Sequence, residues 1–150
     1  MKRKLPFTFE EFKSIYSKVP RLTVDLVIHT KEGIILTLRT KHGYENQWHL
    51  PGGTVYFRES VEDSVKRVAR EELGIKVSIE KFHGYVEYFS EEKERGFGYT
   101  ISLVFICSPN SMEFILDDQV EKIEFFKIPP DNTLKEQRKL LSKLLAMKAS

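Results

Sequence analysis

Apolar positions recur along the chain with two periods, one near four residues and one of two. Phe9, Phe12, Ile15 and Tyr16 stand at helical spacing behind Thr8-Phe9-Glu10-Glu11, which has the form of a capping box. The pattern predicts a short amphipathic helix over 8–18, ended by Pro20. Two β-rich runs, 22–30 and 34–40, flank Lys31-Glu32-Gly33 and predict a hairpin. Residues 41–47 are polar and loop-like, and Trp48-His49-Leu50 then runs into the chain break Pro51-Gly52-Gly53. A second helix is predicted over 60–73, with Ser60 as cap, Glu62 and Asp63 in the first turn, and Val61, Val65, Val68, Ala69 and Leu73 on its apolar face. Gly74 stops it. Strands follow over 76–89, bent at Gly84, over 99–107 and over 120–128, with the charged segment 90–98 read as a mobile hairpin loop. Pro129-Pro130 precedes a last helix over about 133–147, whose apolar face is Leu134, Leu140, Leu141, Leu144 and Leu145. Strands and helices mix without strict βαβ alternation, which predicts an α+β fold with a layered, mixed sheet.

Composition narrows the class. A chain of 150 residues is the size of one domain with a real core. The balance of 41% hydrophobic and 31% charged residues excludes wholesale disorder. A net charge of +2 gives no electrostatic reason to expect a nucleic-acid or membrane partner, and the basic run Met1-Lys2-Arg3-Lys4 reads as a solvated terminus. Neither a membrane-length apolar run nor an apolar signal core is present, so the expected location is cytoplasmic. Cys107 is the sole cysteine, which excludes an internal disulfide, and its apolar surroundings predict a buried, inert thiol.

Chemistry concentrates in residues 52–75, GGTVYFRESVEDSVKRVAREELGI. A Gly-Gly turn leads to Glu59 and then to a helix carrying Arg67, Arg70, Glu71 and Glu72. Helical spacing puts Arg67 beside Glu71, and Val68 one turn before Glu71 and Glu72. Adjacent carboxylates facing a glycine turn suit a hard, oxygen-preferring cation such as Mg²⁺ and repel each other without one. Singly, each feature has a bland reading as solvated surface, turn glycine or ordinary ion pair.

Together they resemble the Nudix box, G-x5-E-x7-R-E-U-x-E-E-x-G-U, where U is aliphatic. Gly53, Glu59, Arg67, Glu71, Glu72, Gly74 and Ile75 fall in register, Ala69 takes the first aliphatic position, and Trp48-x-Leu50-Pro51-Gly52-Gly53 is similar to the family's lead-in. The resemblance implies a single Nudix domain over 1–150 with an α/β/α sandwich, its box at 53–75. It also implies a cytoplasmic hydrolase or pyrophosphatase of a nucleoside diphosphate-X, with Mg²⁺ (Mn²⁺ as substitute) on Gly53, Glu71, Glu72 and Gln119, and with Arg67, Glu71 and Glu72 as catalytic residues. Its partner is a small nucleotide, not a nucleic acid or a membrane.

One position departs: the family's Arg-Glu pair reads Arg67-Val68. GDP-mannose mannosyl hydrolases, a branch of the family, also lack that glutamate. Their N-terminal region is similar too, with a short helix, a proline, a strand containing Asp (here Asp25) and an Arg-Thr pair (here Arg39-Thr40). The likeness implies substrate-binding roles for Asp25 and Arg39 and a nucleotide sugar as substrate. That branch keeps Glu-free the position held here by Glu71, and uses a late Gln-His pair that reads Gln119-Val120 here, so the general base is unassigned; Glu87 and Glu121 are candidates. The bland alternatives are an internal ion pair for Asp25, a surface role for Arg39, structural roles for His49 and His83, and packing for Tyr85, Tyr88, Phe89, Phe97 and Tyr99. The branch is dimeric, and the stripe on the first helix points to a homodimer or to packing within its own domain. The rival function is a catalytically silent Nudix-like domain that binds a nucleotide or a protein.

Overall fold

The computed structural model describes residues 7–40, 43–116 and 120–149; the basic run at residues 1–4 and Gln119 lie outside them. Helix α1 (Phe9–Tyr16) opens with the expected reciprocal cap. Thr8 Oγ1 accepts from the Glu11 N–H at 3.2 Å, and the Glu11 carboxylate accepts from the Thr8 N–H at 3.4 Å. Strands β1 (Arg21–Thr30) and β2 (Gly33–Arg39) form the hairpin, followed by the short β3 (Trp48–His49) and β4 (Gly52–Thr54). Helix α2 (Val61–Val68) is capped by Ser60 and continues as a π-helical turn, Ala69–Leu73, closed by Gly74 at φ 68°. Then come β5 (Val77–Tyr88), α3 (Glu91–Arg95), β6 (Thr100–Pro109), β7 (Val120–Phe126) and α4 (Lys135–Ala149).

Strand β1 is the hub. One edge runs parallel to β6, which in turn pairs antiparallel with β5. Its other edge is shared: Thr23, Val24 and Asp25 pair with Thr54, Gly53 and Gly52 of β4, while His29 and Thr30 turn back onto β2. β2 carries the mixed sheet on to β3 and β7.

Alternation along β1 supplies two cores because successive side chains point to opposite faces. Val24, Leu26 and Ile28 pack with Phe105 and Cys107 under Val65, Val68, Ala69 and Leu73 of α2 and its π turn. Val27 joins Val104, Ile106, Leu36, Trp48 and Leu50 beneath Leu141 and Leu144 of α4. This is the expected α/β/α sandwich. Cys107 is fully buried, and burial pushes its thiol up to about 12. Among the described residues no helix is long and apolar enough to cross a membrane.

Three details differ from the sequence reading. Residues 90–98 are not simply a loop: they hold the one-turn α3, whose Glu91 is buried. The bend at Gly84 is one of two irregularities in the β5–β6 register, between Phe82 and Gly84 and between Ile79 and Lys81. The helix expected over 60–73 changes from α to π hydrogen bonding after Val68, while Arg67 and Glu71 keep the i,i+4 contact that helical spacing predicts. Val68 itself is 2% exposed and belongs to the α2 core, not to an acidic face.

A carboxylate at position 68 would therefore be desolvated among aliphatic groups. Val68→Glu is expected to lower the unfolding free energy by about 2 kcal/mol or more, measured by urea melts against Val68→Ile; wild-type stability in Val68→Glu would refute the placement.

Candidate active site

The box segment is organised around one guanidinium group. Arg67 Nε donates to Glu59 Oε2 at 2.7 Å and Nη2 to Glu59 Oε1 at 3.1 Å, a two-armed pair. Nη1 reaches Glu71 Oε2 at 3.0 Å, and Nη2 also donates to the Thr54 carbonyl at 2.6 Å. The Tyr56 ring lies with its centroid 3.8 Å from the guanidinium carbon, and the Tyr56 N–H donates to Glu59. Burial alone would lower the Arg67 pKa; the Glu59 hydrogen bonds, Tyr56 and the charge of Glu71 outweigh it and hold it above its ordinary value. Loop, helix and π turn are thereby tied together, with Glu72 half-buried next in the chain and its Oε2 shielded from solvent.

A polar cavity opens on the α4 side of the sheet. Gly52 and Gly53 line it together with Arg21, Asp25, Arg39, His49, Tyr88, Glu91, Arg95 and Gln137. The glycines are there for space. A Cβ on Gly52 would stand 2.4 Å from Asp25 Oδ1, and one on Gly53 would stand 3.0 Å from Val68 Cγ2. The backbone of β4 thus separates the cavity from the α2 core.

Asp25 is 6% exposed and accepts a short hydrogen bond from the Tyr88 hydroxyl. Gln137 donates to that hydroxyl at 2.9 Å while accepting from the Leu50 N–H at 2.7 Å, so β1, β5, α4 and the end of β3 share one network. Burial raises the Asp25 carboxyl to about 6, against the opposing Tyr88 bond and the charges of Arg21 and Arg39. Arg39 Nε donates to His49 Nε2 at 3.5 Å, and His49 Nδ1 donates to the Leu50 carbonyl at 2.8 Å. Burial and the Arg39 charge push His49 down to about 3, so it is a neutral prop for Arg39 and not an acid–base group near neutrality.

Of the residues singled out by sequence, Asp25, Arg39 and Gly53 share the cavity, while Arg67 and Glu71 share the box cluster with Glu59. Gln119 and the side chain of Glu121 lie outside the described residues. Glu87 accepts a short hydrogen bond from the Tyr99 hydroxyl and does not line the cavity. Sequence reasoning missed Arg21, Glu91, Arg95 and Gln137, and it read Tyr88 as packing. They come from four separate segments; the i,i+4 spacing of Glu91 and Arg95, in a charged stretch next to an aromatic strand end, was the signal.

The donor set bears on a metal. Among the described residues no three His, Cys, Asp or Glu side chains converge. Arg67 engages Glu59 and one oxygen of Glu71, and Glu72 follows Glu71 in the π turn. Carboxylate oxygens beside a glycine turn are of the chemistry that suits a hard cation, which completes its shell with water and phosphate.

Residues 19–144 match the sequence profile of the NUDIX domain. The low-salt glycan biosynthesis protein Agl8 of Haloferax volcanii is 39% identical over 85 residues, 57% of this chain and 54% of that protein. An ADP-ribose pyrophosphatase of Methanocaldococcus jannaschii is 31% identical over 109 residues, 73% of this chain and 63% of that protein. The chain thus spans less than two thirds of the length of these curated relatives. The crystal structure of a MutT protein from Methanosarcina mazei Go1 shares the fold, with a TM-score of 0.74 over 87% of this chain and 96% of that one at 19% identity. With the profile covering most of its length and the box in register around Arg67, the chain belongs to the NUDIX domain family.

Proposed function

We propose that the protein is a Mg²⁺-dependent hydrolase of a nucleoside diphosphate linked to another moiety, a nucleotide sugar or a related nucleotide. The observation that carries this reading is the arrangement about Gly52 and Gly53, where the wall of a cavity rich in guanidinium groups and hydroxyl acceptors is the same turn that leads into the box acids. The names of two relatives, a glycan biosynthesis protein and an ADP-ribose pyrophosphatase, are in keeping with it.

In this reading Glu72 and Glu71, the Gly53 carbonyl and Gln119 hold the cation, Mg²⁺ or Mn²⁺. Bound there, it supplies charge neutralisation to the diphosphate and to the leaving oxygen. Arg67 fixes the direction of Glu71 and, through Glu59, the course of the box loop. Arg39, held by His49, binds a phosphate oxygen, and Asp25 accepts hydrogen bonds from ligand hydroxyls. Water attacks either phosphorus or the anomeric carbon; turnover in ¹⁸O-water over nucleotide sugars, ADP-ribose, nucleoside triphosphates and dinucleoside polyphosphates identifies both substrate and bond. Absence of turnover across that set would favour the silent, nucleotide-binding alternative. Phe9 and Ile15 of α1 are exposed while Phe12 is buried in its own chain, and the exposed pair is proposed as part of a homodimer contact.

Glu72→Gln is expected to lower kcat about 100-fold with an unchanged melting temperature; near-wild-type turnover would remove Glu72 from the metal site. Light scattering at micromolar concentration is expected to give twice the chain mass, and a monomer would remove the dimer. Asp25 yields a pH prediction. Its folded pKa, about 6, lies above the ordinary value of 3.8, so the stability linked to it is full below the lower value and is lost as pH rises through the upper one. Urea melts from pH 4 to 7 should show this decline in wild type and a flatter profile in Asp25→Asn. Ligand affinity should move oppositely, KM rising as pH falls below about 6.

A further inference from the structure

Three guanidinium groups line the cavity, those of Arg21, Arg39 and Arg95. Arg21 and Arg95 are mostly buried, with side chains 18% and 12% exposed, and they share one carboxylate. Glu91 Oε1 stands 3.7 Å from Arg21 Nη2 and 3.4 Å from Arg95 Nη1, and Glu91 also accepts from the Thr100 hydroxyl. Asp25, the other carboxylate lining the cavity among the described residues, is engaged by Tyr88. Arg39 leans on the neutral His49. Three cations therefore face two carboxylates around one cavity, a surplus of positive charge.

The surplus is held in place by α1. Phe12, 7% exposed, presents its ring to both guanidinium groups, each carbon lying 5.5 Å from the ring centroid. Phe97 flanks Arg95 at 5.2 Å. Ring faces attract cations without neutralising them, so this packing orients the two arginines and leaves their charge available. Burial, with the neighbouring Arg21 and Arg39, pushes Arg95 down to about 10, against the opposing charge of Glu91.

We propose that Arg21 and Arg95 form an oxyanion subsite of the cavity, taking a phosphoryl or carboxylate group of the bound molecule, with Phe12 as the positioning residue for both. The proposal rests on the reading of this cavity as the substrate pocket. Its test reads binding without turnover, so failure of the subsite and failure of the hydrolase reading are distinguishable.

The full chain in EDTA is titrated calorimetrically with inorganic phosphate and, separately, with acetate. One phosphate site per chain is expected; acetate competing with comparable affinity assigns the subsite to a carboxylate, and binding of phosphate alone assigns it to a phosphoryl group. Arg95→Met should weaken binding about tenfold or more, Arg95→Lys less, and Phe12→Leu severalfold, while Phe12→Tyr restores it and the exposed Arg70→Met leaves it unchanged. A purely structural role would lower the melting temperature of the Phe12 and Arg95 variants without changing the affinity of the folded protein. That result overturns the proposal, as does wild-type protein that binds neither anion.

Discussion

The buried ion triad of Arg67 with Glu59 and Glu71 is the constraint on which the active-site side of this protein depends. Each partner side chain is 7–8% exposed, so water contributes little to their solvation. Breaking such a set by removing one member leaves an uncompensated buried charge, which is far more costly than any surface ion pair. The same guanidinium holds the Thr54 carbonyl and lies on the Tyr56 ring, so one side chain fixes the strand β4, the loop after it and the π turn together. The direction in which Glu71 and Glu72 project follows from that anchorage.

β1 does the corresponding work on the other side. Its inward residues on one face, Val24, Leu26 and Ile28, build the core under α2. Asp25, one residue out of phase with them, faces the opposite layer, where the Tyr88 hydroxyl donates to it and itself accepts from Gln137. A buried carboxylate in an apolar strand is tolerable because every partner in the chain Asp25–Tyr88–Gln137–Leu50 has its own acceptor or donor.

The alternation of β1 and β2, the cap at Thr8 and the box spacing from Gly53 to Ile75 were legible because each is a local pattern, and the α/β/α sandwich followed from them. The placement of Val68 was legible only in part. Its spacing with Val61, Val65 and Leu73 put it on the apolar face, where it lies, whereas the box pattern set it beside the acids, and a single sequence does not say which of the two environments such a position meets. Glu91 and Arg95 were hidden for a different reason. Their surroundings are polar and short, which reads as loop, and their meaning arises only when α3 is brought against Phe12 and Arg21, far away in the chain.

The glycine wall has a consequence for how such a protein can diversify. Cavity-facing groups project from β1, β2, α3 and α4 on one side, while the acids and their arginine sit on α2 and its π turn on the other, with the β4 main chain between them. The two sets share no side chain. On the proposed function, exchanges among the cavity residues retune recognition while the box acids and their arginine stay intact, a division of labour that lets one scaffold explore many ligands by small steps. Gly52 itself is not part of that freedom. An added methyl would stand 2.4 Å from Asp25 Oδ1 and 2.7 Å from the Val24 carbonyl oxygen, so the turn has no room for a side chain there.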